Sequence, residues 1–347
     1  MRKIGKLFNK TLVVDYNIEN TLRKDIQLGV KVKNSKILIK ERTNNGNTEI
    51  ISKPDPPIKA IKFTATGPQT IALWDYDGLS LMYSYDGHSW NDFVEETNFN
   101  EDNIIYIKGD NPEGFNWSQF MFSNNDSLID VEGNILYLIG ESDTIEELPE
   151  DCFAYLFSGA PIKDASKLIL TSTVSESCYS QTFMGCDKLV NAPKLPAINL
   201  VPHCYNAMFS GCSSLVKVPE LPATTLAENC YYLMFSECTS LTTAPKLPAT
   251  TLADSCYQNM FQGCTSLVSS PKLLATTLAD KCYNSMFIYC TSLNHVTIYA
   301  NDISATGCLS DWLTGVAATG TFENKTGITY PEGGNGIPSG WTEIKPE

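Results

Sequence analysis

Residues 247–267 read LPATTLADSCYQNMFQGCTSL, and residues 221–241, one period earlier, read LPATTLAENCYYLMFSECTSL. The interval is 26 residues, and it holds along half of the chain. Cys152, Cys178, Cys204, Cys230, Cys256, Cys282 and Cys308 are each 26 apart, and Cys186, Cys212, Cys238, Cys264 and Cys290 form a second column eight residues behind. These twelve are all the cysteines of the 347-residue chain. Phe157, Phe183, Phe209, Phe235, Phe261 and Phe287 keep the register, as do Tyr179, Tyr205, Tyr231, Tyr257 and Tyr283. Leu189, Leu215, Leu241, Leu267 and Leu293 add a further column, and Pro193, Pro219, Pro245 and Pro271 another. Self-similarity at a fixed period of this length signals a stack of like units, each burying its apolar face against the next.

Within one unit, Leu252, Cys256, Met260 and Cys264 are spaced by four with Tyr257 and Phe261 alongside, which predicts the apolar stripe of a short helix. Thr225 with Glu228, Thr251 with Asp254 and Thr277 with Asp280 place an acceptor at the N-cap and a carboxylate three residues on. From Ser266 to Leu273 the chain is expected to run extended, because Pro271 would leave a helical ladder without a donor. Each rung is therefore expected to combine an extended arm, a turn and a helical arm, an α/β unit.

Both cysteine columns fall on that stripe, where a thiol packs as a small hydrophobe. Zinc sites need ligand pairs about two to four residues apart that converge on one point, which an eight-residue spacing does not supply. Distance alone permits a disulfide ladder, since identical positions in neighbouring rungs lie roughly 5 Å apart. Ala160 and Val316 take the second-column position in the first and last rungs, and such apolar replacements favour unpaired, buried thiols.

The unit at residues 247–267 resembles the leucine-rich repeats of BspA type, found in surface proteins of gut Bacteroidetes and in their phages. The resemblance covers roughly residues 150–316 and implies a right-handed solenoid with a strand lining one face. Against the common Leu-x-x-Val-x-Ile-Pro strand, Leu215, Val218 and Pro222 fit with one extra residue, and Pro219 interrupts.

Outside the repeats, composition divides the chain. Residues 1–57 carry twelve Lys or Arg against six Asp or Glu, net +6, while the other 290 carry 13 against 33, net −20. A basic arm serving a different partner from an acidic body is expected. Within the arm, Ile26 to Val32 and Lys36 to Lys40 alternate as strands, and Lys53 to Pro57 reads as a stiff linker. Ile58 to Ala65, Thr70 to Trp74, Leu79 to Ser84 and Ile104 to Lys108 are short β-prone pieces, separated by turn signals such as Asp77-Gly78 and Asp86-Gly87. They predict a small sandwich-like β domain. Its stretch from Tyr83 to Trp90 resembles the β module that often precedes these repeats. Cys308, Leu309, Trp312, Leu313 and Val316 keep the repeat register for one more turn before a Gly- and Pro-rich tail. The fold class is thus multi-domain: a basic β arm (1–57), a small all-β domain (58–140), a leucine-rich-repeat solenoid (141–300) and a C-terminal cap (301–347).

No residue is singled out as catalytic, metal-ligating or cofactor-binding, and no enzyme is expected. His88, His203 and His295 are isolated in sequence and read as turn or loop surface residues. Asp75-Tyr76-Asp77-Gly78 lacks the later ligands of a calcium loop and reads as a tight turn. Phosphate-loop, nucleophile-elbow and zinc-helix motifs do not occur. The Asn-x-Ser/Thr matches at Asn116 and Asn324 matter only in a eukaryotic secretory pathway. The polar column Lys194, Glu220, Lys246 and Lys272 is expected to face solvent as decoration or as a ligand-contact row.

The basic start, Met1 to Lys10, is followed by the run Thr11 to Val14 before Asp15, too short for a signal-peptide core, and no stretch reaches a membrane span. A surface-type repeat without an export route points to a phage virion protein, a head or tail fibre or capsid decoration, made in the host cytoplasm. Residues 1–57 would join other virion proteins, and the repeats would contact a host-surface protein or glycan. A homo-oligomer is expected; nucleic acid and membrane insertion are not. The alternatives are a bacterial cell-surface adhesin missing its leader and an intracellular repeat scaffold.

Overall fold

The structure, a computed structural model, describes residues 57–74 and 78–346 with their side chains, and the backbone of five strands before them. The chain divides into two compact units, Met1–Pro57 and Ile58–Glu347. In the first, β1 (Lys3–Leu7) and β2 (Lys10–Val14) pair antiparallel, while β3 (Gly29–Lys33), β4 (Lys36–Arg42) and β5 (Thr48–Ile51) form an antiparallel sheet in that order. β3 and β4 overlap the two expected strands; residues 26–28, most of the Lys53 to Pro57 linker, and Asp75 to Asp77 lie outside the described residues.

The second unit opens with β6 (Ile61–Ala65), β7 (Thr70–Trp74), β8 (Leu81–Ser84), β9 (Asn91–Asp92), β10 (Glu96–Asn98), β11 (Ile104–Gly109), β12 (Gln119–Phe122) and β13 (Ile129–Asn134). Alternation sets the inner faces: Ile61, Phe63 and Ala65 of β6 and Ile105 and Ile107 of β11 are buried. Two sheets result, β10-β7-β12 and β14-β13-β6-β11-β8-β9, and Phe63 meets Phe120 and Phe122 edge-on at 5.8 and 5.7 Å. The last strand of the larger sheet, β14 (Ile162–Ile169), belongs to the first repeat and pairs in parallel with β13.

The repeats contain no α-helix, and none occurs among the described residues, so the α/β expectation is replaced by a mostly β chain of several sheets. The arm from Ser255 to Cys264 is a coil with a four-residue period. Its Ser255, Asn259 and Gly263 adopt left-handed φ angles of 53°, 57° and 68°. Its amides then alternate. Cys256, Gln258, Met260, Gln262 and Cys264 donate three residues back within the rung at 3.1–3.3 Å. Ser255, Tyr257, Asn259, Phe261 and Gly263 donate at 2.9–3.2 Å to Asp280, Cys282, Asn284, Met286 and Ile288 of the next rung. An α-helix spends its interior amides on itself and overshoots a four-residue step by about 40°. The coil instead keeps Cys256, Met260 and Cys264 in one line and binds the rungs to each other.

The expected caps serve the neighbouring rung as well. Asp254 Oδ1 accepts from the amide of Asp280, and Asp280 Oδ1 from that of Thr306, at 3.2 and 2.7 Å. Inside the stack the Phe column from Phe157 to Phe287 runs with centroids 5.3–5.8 Å apart, and the Tyr column from Tyr179 to Tyr283 at 5.7–6.2 Å.

The extended arms are ordered by proline. β15 (Ser269–Leu273), β16 (His295–Ile298), β17 (Gly320–Asn324) and β18 (Trp341–Ile344) form a parallel sheet. β14, β16 and β17 carry Lys167, Thr297 and Glu323 where other rungs carry Pro193, Pro219, Pro245 and Pro271. Between β14 and β15 the arms touch through bridges such as Asp164–Asn191 and Asn191–Lys217, and β15 shifts register between Ser269 and Lys272, around Pro271. Proline lacks the N–H that a ladder needs, so regular pairing resumes where the column ends.

Both ends of the stack are closed. The amides of Phe115 and Phe120 donate to Cys152 and Leu156 at 2.8 and 2.9 Å, and Phe120 stacks on Phe157 at 6.0 Å. At the other end Trp312 stacks on Tyr283 at 6.5 Å. Residues 334–336 stand where another rung would be: Gly334 O accepts from the Leu313 amide, Asn335 Oδ1 from that of Asp311, and Gly336 O from Trp312 Nε1. Trp312→Ala is expected to cost about 3–5 kcal/mol, read from the urea midpoint of unfolding. A loss below about 1 kcal/mol would show that the ring does not seal the stack.

Candidate functional site

Where the extended arm leaves the core it alternates: Pro193, Leu195 and Ala197 are buried while Lys194 and Pro196 are exposed, and the same phase recurs at Pro219 to Ala223. Lys194, Glu220, Lys246 and Lys272 are all exposed, so the polar column does face solvent. With the rungs in register it offers one side chain per rung along the outside.

The thiols are sequestered from chemistry. All twelve are free and buried. Burial pushes them up, to about 12 at Cys152, Cys204, Cys282 and Cys290, so each is a neutral thiol at pH 7 and not a nucleophile or metal ligand. The second column also bonds across rungs. Cys186 Sγ donates to Phe157 O at 3.0 Å, and Cys212, Cys238, Cys264 and Cys290 repeat the bond 29 residues back at 2.9–3.2 Å.

The histidines lie in three different settings. His88 is exposed beside Asp86, whose carboxylate accepts the amides of Ser89 and His88 and is held well below the usual carboxylate range by those bonds. His203 occupies a left-handed turn position, φ 57°, with Asn206 at 3.4 Å. His295 corrects the loop expectation: it lies on β16, 3.7 Å from Glu323 and 3.3 Å from Thr297 Oγ1, with Lys325 also on Glu323 at 2.7 Å. Sequence reading missed this cluster because Glu323 is 28 residues away, and only parallel pairing of β16 with β17 brings them together. Hydrogen bonding from Lys325 lowers the Glu323 pKa.

Other chemical candidates dissolve on placement. Asn324 is buried and donates to Ile328 O and Glu343 Oε1 at 2.7 and 2.8 Å, whereas Asn116 is exposed. A shallow depression of about 240 Å³, bordered by Ser80, Met82, Lys108 and Glu141, is crossed by the Lys108–Glu141 ion pair at 3.1 Å. Among the described residues no group of three or more His, Cys, Asp or Glu could hold a metal ion, and no helix is long and apolar enough to cross a membrane.

Comparisons with protein-family models, with curated proteins and with solved structures find no match.

Proposed function

We propose that the chain is an adhesive structural protein of a phage particle, a head or tail fibre or capsid decoration. In this reading the repeats form a BspA-type leucine-rich-repeat solenoid that presents its outward columns to a host-surface protein or glycan. Residues 1–57 dock on other virion proteins. The observation that carries the reading is the division into two compact units of opposite charge, net +6 and net −20. A basic unit and an acidic one suit two different partners.

Two further features support it. A stack cross-bonded rung to rung and closed at both ends is a stiff spacer, whose repeated weak contacts would gain by avidity if copies gather in a homo-oligomer. Free thiols throughout the core suit assembly in a reducing cytoplasm. No chemistry is assigned to the chain; its work is binding.

Deleting residues 1–57 tests the proposal. The remaining chain is expected to stay folded and to bind its surface ligand, but to be absent from purified particles when supplied during infection. Particles that incorporate the shortened chain at the normal level would overturn the docking role.

A further inference from the structure

The second unit distributes its cations unevenly. Residues 58–347 carry thirteen lysines and no arginine against 33 Asp or Glu. Seven of the lysines rest on an oxygen at 2.7–3.6 Å: Lys59 on Glu141 O, Lys62 and Lys167 on Glu132, Lys108 on Glu141, Lys188 on Asp187, Lys325 on Glu323 and Lys345 on Glu343. The side chains of the other six have no ion pair or hydrogen bond among the described residues. Five of those six, Lys163, Lys194, Lys217, Lys246 and Lys272, stand exposed on the extended arms of the repeats. The sixth, Lys281, lies at the corner where a coil begins.

Four consecutive arms, residues 189–201, 215–227, 241–253 and 267–279, hold four of these lysines and one carboxylate, Glu220. Four cations against one anion give the arms net +3 within a unit of net −20. The exposed carboxylates Glu228, Asp254 and Asp280 stand eight residues beyond Glu220, Lys246 and Lys272. At about 3.3 Å per extended residue, that separation exceeds a Debye length of about 8 Å at physiological salt. An anion laid along the arms therefore meets the lysines first.

The lysines rise from a low surface. The outward positions two residues to either side are Ala192 and Pro196 around Lys194, Ala244 and Pro248 around Lys246, and Ser270 and Leu274 around Lys272. The proline column that keeps these arms out of a regular ladder also leaves the amides of Lys194, Glu220 and Lys246 without an acceptor among the described residues. The row thus has spare backbone donors beside its ammonium groups, and charged acceptors make the stronger bonds to both.

Pitch selects among polyanions. The rungs lie about 5 Å apart, whereas an extended acidic peptide offers same-side carboxylates about 7 Å apart and drifts off the row. A chain of sugar rings advances by about one rung per ring. Its C–H faces suit the short alanine and proline side chains, and carboxylate or sulfate groups on it suit the lysines.

We propose that these arms bind an anionic polysaccharide, with its carboxylate or sulfate groups on Lys194, Lys217, Lys246 and Lys272. This rests on the adhesion reading above and names its ligand class. Affinity electrophoresis in about 0.15 M salt tests it, through gels holding a polyuronate, a sulfated galactan or a neutral glucan. The full chain is compared with residues 58–347, which lack the basic arm. At least one anionic polymer is expected to retard both chains, and the neutral glucan neither; the two anionic gels separate carboxylate from sulfate. Lys194→Gln/Lys246→Gln/Lys272→Gln should weaken the retardation about tenfold with an unchanged circular dichroism spectrum, while Lys281→Gln should bind as the parent does. Glu220→Gln should strengthen binding about two- to fivefold, a gain that misfolding cannot mimic. Retardation confined to the full chain, or an equal loss per charge in Lys281→Gln, would overturn the row. So would tighter binding of polyglutamate or of an oligonucleotide than of either glycan, or self-association that the triple variant abolishes. Retardation by the neutral glucan alone would overturn the anionic class and keep the adhesion reading. Particle incorporation through residues 1–57 is read separately, so a docking failure and a ligand failure are distinguishable.

Discussion

Between about pH 9 and pH 10 the folded chain is expected to unfold cooperatively. The cause is the buried seam of thiols. Each has an ordinary value near 9 and a raised one in the fold, about 12 at Cys152, Cys204, Cys282 and Cys290. Below pH 9 both states hold the proton, and the stabilisation is fully present. Above pH 9 the unfolded chain releases protons that the folded chain keeps, so stability falls as pH rises. The loss is about 1.4 kcal/mol per thiol for each further pH unit. Eleven of the twelve thiols, all except Cys308 at the terminal rung, are fully buried at 0% exposure. Their sum exceeds the about 5–15 kcal/mol by which domains are stable within one pH unit. Far-UV circular dichroism and thiolate absorbance at 240 nm, followed together under reducing agent, should change in one transition. Thiolate appearing near pH 9 with an unchanged dichroism spectrum would show that the thiols are not sequestered.

A chain beginning at residue 141 is expected to aggregate, while one beginning at residue 58 folds as a single cooperative unit. The repeats look separable from the β domain in sequence, but β13 pairs with β14, and Phe115 and Phe120 cover the Phe153 and Phe157 ends of the two aromatic columns. Removing the domain exposes these rings and leaves the Cys152 and Leu156 carbonyls without their donors. At about 1.5–3 kcal/mol per buried aromatic ring, the cover over Phe153 and Phe157 is worth about 3–6 kcal/mol, a large share of the whole stability of a domain. Light scattering and thermal melts of the two chains decide the matter. A soluble 141–347 chain melting at the same temperature as 58–347 would show that the repeats close without the domain.

The contrast between helix and coil turns on a few residues. Leu252, Cys256, Met260 and Cys264 repeat at a strict four, whereas an α-helical stripe mixes threes and fours. Asn259 and Gly263 are also types that tolerate left-handed φ. Those signals were present, but Leu233, Tyr155 and Tyr289 occupy the same left-handed columns at φ 56°, 62° and 60°. Local preference opposes these three, and only the cross-rung hydrogen bonds of the stack hold them there.

The sequence by itself determined the period, the buried columns, the exposed Lys194, Glu220, Lys246 and Lys272 row and the split between a basic arm and an acidic body. These follow from repetition, alternation and composition, none of which needs strands or rungs to be paired. The tertiary structure alone decided that alternate amides of each coil arm bind the next rung, that the β domain is the lid of the stack, and that Glu323 meets His295. It also set the Trp117 ring against that of Tyr155. Backbone donors choose their acceptors, and distant rings their neighbours, only once the strands and rungs are paired.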